Sequence, residues 1–104
     1  MHARVSTYEF PPERADELIR TFDEDRSVDA IPGIVEAYML LDRAAGRAVS
    51  VTLWETEAAL RASEEEANRI RARATAPAGG RVSRVDRYEV ALHERFAADP
   101  SATA

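Results

Sequence analysis

The chain predicts an α+β fold, with strands and helices in the order β-α-β-β-α-β. The strands form one four-stranded antiparallel sheet, and both helices lie on one face of it. Three observations point there. Residues 34–41 and 47–54 read as strands and flank the short loop Asp42-Arg43-Ala44-Ala45-Gly46, as the arms of a hairpin do. A further strand-like run lies before this pair and another after it. The stretches between carry apolar residues at helical spacing.

The first strand is predicted over Ala3 to Phe10, where Val5, Thr7, Tyr8 and Phe10 favour extended backbone. Pro11-Pro12 stops it, because proline cannot donate to a ladder yet suits the first turn of a helix. In the helix that follows, Glu13, Asp16 and Glu17 sit near the positive end, and Ala15, Leu18, Ile19 and Phe22 form one apolar stripe. Ser27 to Ala30 reads as a short turn, and Pro32-Gly33 as a second one leading into the hairpin. Thr56 is the expected N-cap of the second helix, which runs from Glu57 to Ala76. Within it Glu57 and Arg61, and Glu65 and Arg69, are spaced as i,i+4 pairs. Leu60, Ser63, Ala67, Ile70 and Ala74 make a thin stripe of mostly small residues. Pro77 and Gly79-Gly80 end the helix, and Val82 to Leu92 is the last strand. Residues 1–92 are thus read as one ferredoxin-like domain, with 93–104 as a flexible polar tail.

Composition excludes several functions. With 104 residues there is room for one core. A net charge of −5 speaks against a nucleic-acid partner, which needs a basic face. The absence of cysteine removes disulfides, thiolate catalysis and Cys-bound metal. All 14 basic residues are Arg, so a lysine Schiff base is excluded except at the amino terminus. No apolar run approaches the ~20 residues of a membrane helix. Met1-His2-Ala3-Arg4 leads straight into a strand. The expectation is a cytoplasmic protein with no membrane partner.

The sheet is apolar on both faces. Along the third strand Val49, Val51 and Leu53 point one way, while Ala48, Ser50, Thr52 and Trp54 point the other. On the second, Ala37, Met39 and Leu41 oppose Tyr38 and Leu40. Two helices cover one face only. The other needs a second sheet, so a homodimer is expected.

The Pro-Gly turn before the second strand, the element order, and the passage Leu53-Trp54-Glu55-Thr56-Glu57-Ala58-Ala59-Leu60 resemble the antibiotic biosynthesis monooxygenase family of the dimeric α/β-barrel superfamily. The resemblance spans roughly Ala3 to Val90. It implies two sheets stacked as a barrel in a homodimer, with a pocket between each sheet and its own helices. Relatives include oxygenases of phenolic polycycles that use O2 without metal or flavin, haem degraders, isomerases and small-metabolite binders. Haem-degrading relatives carry an Asn on strand one and a Trp and a His on the second helix. Here the strand position is Ser6, and the helix from Glu57 to Ala76 has neither, which argues against haem degradation. Many relatives also place a His soon after the Leu60 position, where this chain has Arg61-Ala62-Ser63-Glu64.

The pocket candidates are Ser6, Tyr8, Tyr38, Thr52 and Trp54 from the strands, with Phe22 and Ile70 from the helices. Each has a plainer reading. Trp54 is either a stacking surface or a core plug at the sheet–helix junction. Tyr8 and Tyr38 either direct hydroxyls at a ligand or are core rings with hydroxyls at the rim. Ser6, Ser50 and Thr52 have no base beside them, so no nucleophilic triad is assigned. Arg84, Asp86 and Arg87 read as a solvated ion pair on an edge strand. Glu64-Glu65-Glu66 reads as a solvated helix start. Gly79-Gly80 opens no phosphate-binding helix. His2 and His93 reach a common metal only if the termini meet. No metal and no cofactor is expected.

The leading expectation is therefore a protein with a small-molecule pocket that oxygenates an aromatic or phenolic metabolite without a cofactor. One alternative is a non-catalytic ligand-binding or structural dimer. The other is an isomerase or cyclase on the same fold.

Overall fold

The computed structural model describes residues 1–97; part of the expected tail, 98–104, lies outside them. The strands are β1 (His2–Glu9), β2 (Ile34–Asp42), β3 (Arg47–Trp54) and β4 (Arg81–Glu89), in the spatial order β2-β3-β1-β4. Every neighbouring pair is antiparallel. Helix α1 (Ala15–Glu24) follows β1 through a 3-10 turn, Pro12–Arg14. The short turn expected after it is a 3-10 segment, Arg26–Ala30. The β-α-β-β-α-β order and the four-stranded antiparallel sheet are thus as the sequence predicts.

Two tight spots need glycine. Gly46 closes the β2–β3 hairpin at φ 66°, and a side chain there would run into the Phe10 carbonyl. Gly33, at φ 84°, lies against Ala59 and seats the β2 entry on the second helical region.

That helical region departs from expectation. It is two helices, α2 (Glu57–Ala62) and α3 (Glu64–Thr75), broken at Ser63. The Ser63 hydroxyl donates to the Leu60 carbonyl (2.7 Å), and the Arg4 guanidinium donates to the same carbonyl (2.8 Å). A serine that offers the backbone another partner disrupts a helix interior. Thr56 does cap α2, accepting from the Ala59 amide (3.0 Å). Glu57 pairs with Arg61, whereas Arg69 takes Glu66 rather than the expected Glu65.

Register decides which side chains meet. Ser6 pairs with Ser50, Arg4 with Thr52 and Tyr8 with Ala48 on one side of the sheet. Ala37, Met39 and Leu41 of β2 join the same side. Tyr8, Phe10, Ala15, Leu18, Ala48 and Ala78 form the core at one end, with Phe22, Met39 and Leu41 against it. Trp54 and Leu60 are buried toward the other. The opposite face carries Val5, Val49 and Val51, with Tyr38, Leu40 and Tyr88 each more than half exposed or at half. Among the described residues no helix is long and apolar enough to cross a membrane.

Candidate functional site

Between the sheet and the helices the chain leaves a cavity of about 380 Å3, within the size range of small-molecule sites. Its origin is side-chain size. The stripe Leu60, Ser63, Ala67, Ile70 and Ala74 is buried as expected, and its members Ala67 and Ile70 border the cavity. The facing strands offer Ser6, Ala37, Ser50 and Thr52, which are small. Space remains where two thin surfaces oppose each other.

All seven pocket candidates, Ser6, Tyr8, Phe22, Tyr38, Thr52, Trp54 and Ile70, border this cavity. Tyr8 is wholly buried, and its hydroxyl lies 2.8 Å from the Ser50 hydroxyl. Its ring packs tilted against Phe22, centroids 5.2 Å apart. Burial is the main influence on the phenol and raises its pKa, against the smaller effects of Ser50 and Ser6. Tyr8 is therefore a neutral hydrogen-bond donor at neutral pH, not a base. Trp54 donates through Nε1 to Thr52 Oγ1 (2.9 Å), which fixes the ring's orientation. Tyr38 sits at the edge. Its register partner is Val51 on the opposite face, and its hydroxyl donates to Glu36 (2.8 Å).

The candidates drawn from sequence omit two arginines in the cavity wall. Arg4 is 2% exposed. It donates to the Leu60 carbonyl, to Ser63 Oγ (2.9 Å) and to Glu64 Oε1 (3.2 Å), and lies 5.3 Å from the Trp54 ring centroid as a cation–π pair. Its Nε has no partner among the described residues. Glu64 is also gripped by Arg87, through Nη2 at 2.6 Å, and these partners hold its carboxyl down at about 2. Arg71, from α3, is 6% exposed and donates to Asn68 Oδ1. The signal for Arg4 is strand alternation, since it shares a face with Ser6 and Tyr8. The signal for Arg71 is its place beside Ile70 and three residues before Ala74.

Asp23, Asp25 and Arg26 make the charged rim. Asp23 is ion-paired with Arg26 (3.8 Å) and Asp25 with Arg73 (3.1 Å). His2 and His93 do not meet: His2 approaches Glu57 (3.9 Å) and His93 approaches Glu36 (4.0 Å). The described residues contain no group of three or more His, Cys, Asp or Glu placed to hold a metal. Arg84 and Asp86 pair at 2.5 Å on the exposed β4 edge.

The profile described as antibiotic biosynthesis monooxygenase matches residues 1–75. The chain belongs to the antibiotic biosynthesis monooxygenase family. An uncharacterised protein of Mycobacterium tuberculosis, Rv2558, is 38% identical over 69 residues, which are 66% of this chain and 29% of that protein. The chain thus spans less than a third of that relative. Among solved structures, the haem degrader MhuD of M. tuberculosis, with two haems bound in its active site, is 22% identical. It superposes with a TM-score of 0.72 over 91% of this chain and 100% of that one. A Streptomyces coelicolor monooxygenase from the gene ActVA-Orf6, in complex with Nanaomycin D, is 17% identical, with a TM-score of 0.65 over 96% and 92%. Both likenesses establish the fold.

Haem fits this cavity poorly. Its iron takes an axial His, Cys, Met or Tyr ligand. Among the described residues the wall has no His or Cys, its one buried phenol, Tyr8, is already bonded to Ser50, and its one methionine, Met39, packs against the hydrophobic core.

Proposed function

We propose that this family member binds a small aromatic molecule in the cavity and oxygenates it with the substrate as the only reductant. The observation that carries the reading is the Tyr8–Ser50 hydroxyl pair in a cavity lined by aromatic and aliphatic side chains and by the buried guanidinium groups of Arg4 and Arg71. A flat ligand lies between the sheet and α3, with Trp54 and Phe22 as its aromatic neighbours. Tyr8 donates to a substrate oxygen, and the positive wall favours the phenolate over the phenol. That anion gives electrons to O2. One oxygen atom bonds to a ring carbon that loses hydrogen, the phenol becomes the second carbonyl of a quinone, and the other oxygen atom leaves as water. The substrate loses four electrons and O2 gains four. The enclosing walls hold the ring and exclude solvent. The fold shared with a monooxygenase that holds Nanaomycin D supports a small organic ligand.

The test is oxygen uptake with a panel of naphthols and anthrones. Uptake matched by quinone formation is expected, and Tyr8→Phe should lower it by roughly 10²-fold without moving the unfolding midpoint much. Binding without uptake would replace oxygenation by a ligand-carrier role.

The exposed face of the sheet completes the proposal. Tyr38 and Leu40, 50% and 55% exposed, lie on the same side as Val49 and Val51. A second copy stacked there buries both apolar surfaces at once. Sedimentation should give twice the 11.5 kDa chain mass. Val51→Glu should give the monomer. A wild-type monomer at micromolar concentration would sink the dimer.

A further inference from the structure

Arg71 is a buried guanidinium with no ion-paired carboxylate among the described residues. It is 6% exposed and lines the cavity. The neighbouring carboxylates are engaged elsewhere: Glu64 with Arg4 and Arg87, and Asp25 with Arg73. Glu64, held by Arg4 and Arg87, makes no ion pair with Arg71. A buried cation normally has a counterion.

Its hydrogen bonds also leave capacity. Of five N–H donors, one nitrogen, Nη2, serves Asn68 Oδ1. Whichever Nη2 hydrogen Asn68 takes, one edge of the fork keeps two parallel N–H groups. That edge matches the two oxygens of a carboxylate. A lone phenol or ketone oxygen matches it less well.

We infer that the ligand of this cavity is an aromatic carboxylate, with Arg71 as the residue that selects for the carboxylate group. The inference rests on the cavity being the ligand site. Arg71 completes its charge balance only when the ligand arrives, so affinity depends on the ligand's own anion.

The test compares 2-naphthoate with methyl 2-naphthoate at pH 7 by calorimetry, on the full chain and on Arg71→Met. The two probes share the ring and differ in charge. Wild type should bind the carboxylate about tenfold or more tighter than the ester, as expected for a charge-assisted pair made away from water. Arg71→Met should abolish that preference and leave ester affinity unchanged. Arg71→Lys, which keeps the charge and loses the fork, should recover it only in part. Equal binding of the two probes by wild type overturns the inference and leaves the cavity's role intact. A preference that survives Arg71→Met overturns it too. Binding of neither probe overturns both the inference and the proposed site. If Arg71→Met does not fold, the wild-type comparison and Arg71→Lys decide.

Discussion

Trp54→Ala is expected to lower the unfolding free energy by about 3–5 kcal/mol, from lost burial and the void left behind. The side chain is 1% exposed at the end of β3, where strand turns into α2. Its nitrogen is tied to Thr52, and Arg4 lies 5.3 Å from its centroid. The residue also borders the cavity, so both readings of it have a physical basis. They separate by magnitude. A ring that only stacked on ligand would lose affinity and little stability. A ring that holds β3 against the helices loses stability first. Chemical denaturation and ligand titration of the same variant decide. A nearly unchanged midpoint with collapsed binding would make Trp54 a ligand platform and nothing more.

Much of the fold can be read in the chain because its signals are local. Pro11-Pro12, Pro32-Gly33 and Gly46 stand where the backbone turns, and the alternation of β3 survives unaltered in its pairing with β1. The break at Ser63 is different. A serine at that helical position reads as part of the stripe, and only Arg4, 59 positions away, makes its backbone give way. The same distance hides half of the site. Strand alternation puts Ser6 with Tyr8 and Thr52 with Trp54 on one face, and the family resemblance supplies the pocket between sheet and helices. Arg4 shares that face by alternation and Arg71 lies beside the stripe, yet both look like surface charges, because burial of a guanidinium depends on what other elements bring to it. Arg4 meets a carbonyl, a hydroxyl and a carboxylate from the α2–α3 junction. No local pattern announces that constellation.

Arg4→Ala should cost about 2–4 kcal/mol at pH 7, since it removes a buried charged donor to the Leu60 carbonyl and the Ser63 hydroxyl and one of two cations holding Glu64. The unpartnered Arg4 Nε offsets part of that cost, because its desolvation is relieved in the variant. The pH dependence identifies the cause. The Glu64 carboxyl stands at about 2 in the folded chain, below its ordinary 4.5, chiefly through Arg87 and then Arg4. A depressed carboxyl stabilises fully above the unfolded value. That contribution is lost as pH falls through 4.5 toward 2. Glu64 is a quarter exposed, so after solvent screening it is worth on the order of 1–2 kcal/mol. In Arg4→Ala its carboxyl rises toward the ordinary value, and Arg87 alone holds it. The variant should therefore lie furthest below wild type near neutrality, with the gap narrowing between pH 4.5 and 2. Urea midpoints across that range measure it. A gap that stays constant would mean Arg4 acts through packing on Trp54, with no part in the charge of Glu64.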